Sequence, residues 1–193
     1  MSQTTILMVG NYLPSPKYNK NIWHFLAERL SSQGWNVITT SSRQNLLLRL
    51  FDMLSTVWRY RHIYKIAQID VFSGKAFIFS ECCSWLLNKL NKPIVLTLHG
   101  GGLADFANSH PERVRRVFQR ALKIITPSPF LQGAMQNYHP GIHFIPNPID
   151  ISSAIVRIRE NPQPVLIWVR AFHQIYNPSL AVKVVKILAS DFP

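Results

Sequence analysis

With 193 residues, 47% hydrophobic and 11% aromatic, the chain has ample material for a packed core, which excludes global disorder. Its 21 Lys+Arg against 9 Asp+Glu leave a formal charge of +12, an excess that implies an anionic partner: nucleic acid, a phosphorylated ligand or an acidic membrane surface. The two cysteines, Cys82 and Cys83, are adjacent, so neither a disulfide framework nor a cysteine-based zinc site is expected, and a reducing cytoplasmic setting fits.

Hydrophobic periodicity predicts alternating strands and helices along the chain. Thr4–Gly10 reads as a buried strand, followed by a polar loop rich in Pro, Lys and Asn. A helix is expected over Asn21–Gln33, with Ile22, Phe25, Leu26 and Leu30 on one face and Gly34 closing it. Trp35–Thr40 reads as the second strand, Gln44–Arg61 as a strongly apolar helix, and Tyr64–Phe72 as the third strand. A helix over Ala76–Asn88 follows, then Pro93–His99 as the fourth strand. A helix with a basic face spans Glu112–Leu122, a short strand Lys123–Thr126, a helix entered at Pro129, and a sixth strand His143–Ile145. This alternation predicts an α/β fold, a doubly wound parallel sheet over residues 1–150. Residues 151–164 read as a linker, and 165–193 as one strand (Val165–Val169) and one helix (Pro178–Ala189) of a second, incomplete Rossmann-like unit. No signal peptide is visible at the start, and no apolar stretch reaches the roughly 18 to 20 residues that span a bilayer.

The run Pro93–Gly102 (PIVLTLHGGG) concentrates the chemistry. A continuous apolar strand ends in one imidazole and three glycines, where the backbone can turn sharply and a ligand can approach. Strand carboxyl ends are where open α/β sheets bind ligands, so His99 is the leading site candidate; the plain alternative is a histidine satisfied within its loop. Gly100, Gly101 and Gly102 either admit backbone N–H groups to a sugar or phosphate, or form an ordinary turn. The segment Arg43–Lys65 sets Leu46, Leu47, Leu48, Phe51 and Trp58 among Arg43, Arg49, Arg59, Arg61 and Lys65. It is either a sheet-covering helix with a solvated basic edge or a helix that lies on an anionic membrane. The segment around Glu81, Cys82 and Cys83 is expected to be ordinary core helix.

Four segments carry a resemblance: Leu98-His99-Gly100-Gly101, Ile124–Ser128 (IITPS), Phe144–Asp150 (FIPNPID) and Leu166–Arg170 (LIWVR). In this order and spacing they resemble glycosyltransferase family 4, retaining nucleotide-sugar enzymes of the GT-B architecture, built from two Rossmann-like domains. The resemblance implies that residues 1–150 form the acceptor-side domain and that 165–193 begin a donor-side domain. It implies transfer of a hexosyl-type sugar from a nucleotide-sugar donor to a sugar, lipid-linked or other hydroxyl acceptor in glycan biosynthesis. No cofactor or metal is expected, and the sequence offers no Asp-X-Asp pair. Peripheral contact with the inner face of a membrane is a further expectation.

Residue by residue, the resemblance implies that His99 aligns the transferred sugar, with Gly100 and Gly101 beside the donor. Arg170 would contact the donor pyrophosphate, although Ile175 stands where the family usually supplies a lysine. The loop of Asn19, Lys20 and Asn21 stands where the family has a glycine-rich turn; Asn21 is a candidate N-cap, and Lys20 faces phosphate, acceptor or only solvent. Ser128 either contacts acceptor or starts the next helix, and Asn147 shapes an interdomain hinge. The family's paired glutamates are absent, so the chain is expected to be truncated and inactive alone, or to need a separate donor-domain chain. The rival reading is a non-catalytic module that binds acceptor, membrane or partner. Nucleic-acid binding is not expected, since no such motif accompanies the charge.

Overall fold

The computed structural model describes residues 4–12, 22–148, 158, 160, 165–170 and 172–192. Six strands, β1 (Thr5–Val9), β2 (Asn36–Thr40), β3 (Ile66–Val71), β4 (Ile94–Leu98), β5 (Lys123–Thr126) and β6 (Ile142–Phe144), form one parallel sheet in the order β2-β1-β3-β4-β5-β6. The connections carry α1 (Ile22–Ser32), α2 (Leu46–Arg59), α3 (Phe77–Lys89), α4 (Leu103–Ser109), α5 (Pro111–Phe118) and α6 (Pro129–Met135). Every strand expected from the sequence up to residue 145 is present to within a few residues. The helix α4 is an addition: its Leu103 and Ala107, four residues apart, are fully buried, and that contact holds a segment of only seven residues. The helix expected over Glu112–Leu122 ends at Phe118, because Leu122 N–H is already engaged with Ile94 O (2.8 Å) at the edge of β5.

Pleating divides the sheet into two unlike faces. One presents Leu7, Val9, Ala67, Ile69, Val71, Ile94, Leu96, Leu98 and Ile124, all buried in a single core with side chains of α2, α3, α4, α5 and α6. The other presents Ile6, Met8, Ile66, Gln68, Asp70, Val95, Thr97 and Ile125, matched across the strands by register; Met8 and Asp70 are buried and the rest half-buried. Right-handed crossovers explain the imbalance. Only the β1–β2 connection steps toward the β2 edge, so α1 alone lies on the second face. None of its side chains is buried.

Contacts divide the chain into two units, Met1–Ile149 and Asp150–Pro193. In the second, the described residues form a 3-10 turn (Gln174–Tyr176) and the helix α7 (Pro178–Leu188). The strand expected at Val165–Val169 is not formed. Its residues are 36–86% exposed and pair with no strand among the described residues, and an apolar run without a neighbouring strand forms no sheet of its own.

Candidate active site at the carboxyl ends of the strands

The strand β1 lies between β2 and β3, and the connections leaving it and β2 run in opposite directions, which opens a crevice at the carboxyl ends of β1 and β3. A row of polar side chains reaches this point along the half-covered face. Gln68 Nε2 donates to Asp70 Oδ1 (2.7 Å) and to Thr97 Oγ1 (2.9 Å), with Asp70 and Thr97 in register on neighbouring strands. His99, one residue past β4, continues the ladder through its N–H to Val71 O (2.9 Å) and sets Nε2 3.2 Å from Asp70 Oδ1. The Asp70 side chain is 1% exposed, and a carboxylate so enclosed requires donors around it.

An ionised carboxylate can only accept, so the contact with Asp70 puts the His99 proton on Nε2 and leaves Nδ1 as the ring's free acceptor in the neutral form. Rings enclose the imidazole. Phe72 stacks on it with centroids 5.2 Å apart, and Trp23 of α1 meets it edge-on at 4.2 Å. His99 is accordingly 7% exposed.

Around this pair several buried polar atoms have no partner among the described residues: Asn11 Oδ1, Tyr12 OH, His24 Nδ1, Gln68 Oε1 and Asp70 Oδ2. Each such atom costs about 1–3 kcal/mol, a cost offset when water or a ligand supplies the missing partner. Burial, reinforced by the Asp70 carboxylate, pushes the Tyr12 phenol well above its ordinary range, so its OH stays a donor. A partly open, mainly apolar pocket of about 230 Å³ is lined by Gly10, Asn11, Asp70 and Phe72 together with Arg49 and Phe79. His99 does not line it, and meets it only through Asp70 and Phe72. A wider polar cleft of about 570 Å³ opens between α1, β2 and α2, lined by Tyr12, His24, Ser41, Asp52 and Arg59 among others. Tyr12 and His24, whose rings pack edge-to-face at 5.3 Å, thus stand between the cleft and the buried row.

The other residues singled out from the sequence fall in different places. Gly100 adopts φ +81°, which a side chain would strain, and its carbonyl accepts from Leu103 N–H (3.2 Å) to start α4. A side chain at Gly101 would meet only open space, whereas one at Gly102 would touch Ser73. Ser128 caps α6, its Oγ accepting from Leu131 N–H at 3.2 Å. Asn147 is exposed in the segment after β6. Arg170, in the second unit, holds its guanidinium 5.5 Å from the Tyr176 ring centre. Asn19, Lys20 and Asn21 lie outside the described residues. Glu81, Cys82 and Cys83 sit on α3; Glu81 pairs bidentately with Arg113, and burial pushes the Cys83 thiol up. Sequence reasoning missed Gln68, Asp70 and Tyr12. The signal was present: a central strand reading Ile-Ala-Gln-Ile-Asp-Val carries an amide and a carboxylate two residues apart, hence on one face.

The family model for Glycosyltransferase Family 4 matches residues 20–153, which hold Trp23, the Gln68–Asp70–Thr97–His99 row, Ser128 and Asn147. The chain belongs to glycosyltransferase family 4. No curated protein matches it. The family 4 match covers five of the six strands and leaves Arg170 outside. Among the described residues, no cluster of His, Cys, Asp and Glu could hold a metal ion, and no helix is long and apolar enough to cross a membrane.

Proposed function

We propose that this family 4 chain contributes the acceptor-side half of an enzyme that transfers a hexosyl-type sugar from a nucleotide-sugar donor to a hydroxyl acceptor, with retention at the anomeric carbon. The observation that carries the reading is His99, fixed by a buried carboxylate at the carboxyl end of a central strand in the segment matched to a sugar-transferring family. With its proton committed to Asp70, the neutral ring accepts a hydrogen bond from a sugar hydroxyl at Nδ1 and so orients the sugar. The same contact with Asp70 holds the ring plane fixed, so that the sugar meets it in one orientation.

Gly100 and Gly101 let the donor approach the backbone, and the Arg170 guanidinium offers a rigid, permanently charged fork to the diphosphate oxygens. Asn19, Lys20 and Asn21 at the entrance to α1 serve donor or acceptor, and Asn147 serves as a hinge. Ser128 has its hydroxyl committed to the helix cap and is left out of the chemistry. Basic side chains and backbone N–H groups neutralise the leaving diphosphate, and no metal ion enters this reading.

The test is calorimetric titration of the full chain with UDP-glucose, UDP-N-acetylglucosamine, UDP-galactose and GDP-mannose, with nucleoside diphosphate release assayed in parallel. One donor is expected to bind. His99→Ala should lower sugar-dependent affinity or release by about 10²-fold while free nucleoside diphosphate binds as before. Arg170→Ala should weaken both. Absence of binding by any of the donors, or a His99→Ala chain indistinguishable from wild type, overturns the reading. A second reading, a non-catalytic acceptor-binding module, is favoured by the single helix and absence of strands among the described residues of the second unit. It predicts acceptor binding with no nucleoside diphosphate released.

A further inference from the structure

The helices over the packed face of the sheet turn a second apolar surface outward. On α2 the core stripe is Leu50, Met53, Leu54 and Val57, and beside it runs a second stripe, Leu47, Phe51 and Trp58, at helical spacing. Leu47 is 79% exposed and Phe51 73%, and Trp58 is exposed as well. The neighbouring α3 presents Ile78 and Trp85, seven residues apart and both exposed. Between α2, α3 and α5 lies a groove of about 440 Å³ floored by Leu54, Ile78, Trp85 and Val117. A helix that merely covers a sheet has no use for a second apolar stripe, and large contiguous exposed apolar surface marks a docking site.

Charge identifies what docks. The three segments 43–61, 74–90 and 111–120 hold ten Lys+Arg and three Asp+Glu. Glu81 neutralises Arg113 and Glu112 pairs with Arg115, which leaves Arg116 and Arg120 lining the groove and Arg61 over Trp58 as unbalanced charge around the apolar stripe, while Arg59 turns with Asp52 to the cleft beside α1. Arg61 lies over the Trp58 ring at 4.3 Å, a cationic head above an amphipathic aromatic body. Aliphatic side chains such as Leu47, Leu54 and Ile78 gain nothing against the polar surface of a nucleic acid, whereas acyl chains beneath a layer of phosphates satisfy both the stripe and its arginine border.

We propose that the α2–α3–α5 face is a membrane-docking surface that seats the domain on an anionic lipid bilayer, with Leu47, Phe51 and Trp85 at the acyl boundary and the arginines on lipid phosphates. The inference is independent of the active-site reading, because it needs neither donor nor acceptor.

The experiment is flotation of the full chain with vesicles of phosphatidylglycerol and phosphatidylcholine in equal parts, and of phosphatidylcholine alone, at roughly 0.1 M and roughly 0.5 M salt. Wild type should float with the anionic vesicles at least roughly tenfold more than with the neutral ones. Its tryptophan emission should shift to the blue and be quenched by brominated lipid. Phe51→Glu and Trp85→Glu should each cut anionic binding about tenfold, and Arg116→Glu roughly fivefold. Both apolar positions are exposed, so circular dichroism should be unchanged; if either variant misfolds, Leu47→Glu reads the same surface. Three results overturn the proposal. They are no binding to anionic vesicles, binding that salt abolishes but Phe51→Glu and Trp85→Glu leave intact, and dimerisation through this face without vesicle binding.

Discussion

The two faces of the sheet are made from the same strands and behave as different materials. Toward α2, α3, α4, α5 and α6, successive residues of β3 and β4 are fully enclosed aliphatics. Toward α1, the alternate residues of those strands include a half-buried amide and hydroxyl, an enclosed carboxylate and, just past β4, a buried imidazole. The comparison teaches how one parallel sheet separates its tasks. The face that five helices cover carries the stability, which leaves the other face free to hold polar groups that a fully packed interior would not tolerate.

The largest effect that could break this contrast is a pair of truncations on opposite faces of β4. Leu98→Ala should cost about 3–5 kcal/mol in urea denaturation, and Val95→Ala on the half-covered face about 1 kcal/mol. Equal costs would mean that the faces are equivalent. Gly10→Ala comes next. A Cβ there would overlap Asp70 Oδ2, so the carboxylate must move, at a cost of roughly 1–3 kcal/mol and with loss of the His99 contact visible in the imidazole NMR shifts.

Tyr64→Phe probes the packed side, where the phenol donates to Val57 O at 3.0 Å and burial, with Cys83 nearby and against the pull of Arg61, pushes its pKa up to about 12. Because the folded state holds this proton more tightly than the unfolded one, the phenol's contribution is complete below pH 10 and is lost as pH rises through about 12. The variant should lose about 1.5 kcal/mol at neutral pH and show a flatter alkaline decline. The smallest effect is expected of Ser128→Ala, about 1 kcal/mol from the α6 cap with acceptor KM unchanged; a rise in KM without a loss of Tm would restore an acceptor role.

The sheet was legible because strands buried on a packed face are continuous apolar runs, and Ile94–Leu98 and Thr5–Val9 read as such without any help from context. His99 could be singled out because it stands alone between an aliphatic strand and three glycines, at the strand end where the family resemblance also places a histidine; the row it joins was not visible. Asp70 could not be weighed the same way. Its significance lies in register with Thr97 and in contact with His99, 29 residues away, and both are properties of the folded sheet. The exposed state of Val165–Val169 was hidden for the opposite reason: apolar sequence states what a segment prefers to bury, not whether a neighbouring strand is there to pair with it.

Trp23, which walls in the imidazole, is mounted on α1, and no side chain of that helix is buried. The inner residues of α1 are half-buried and its rings pack on Tyr12, Phe72 and His99, so it is held by fewer enclosed contacts than α2 or α3. The wall over the imidazole is thus mounted on the least enclosed helix of the sheet, and native-state amide exchange should be faster over residues 22–32 than over 77–89; equal protection would show a wall as fixed as the core.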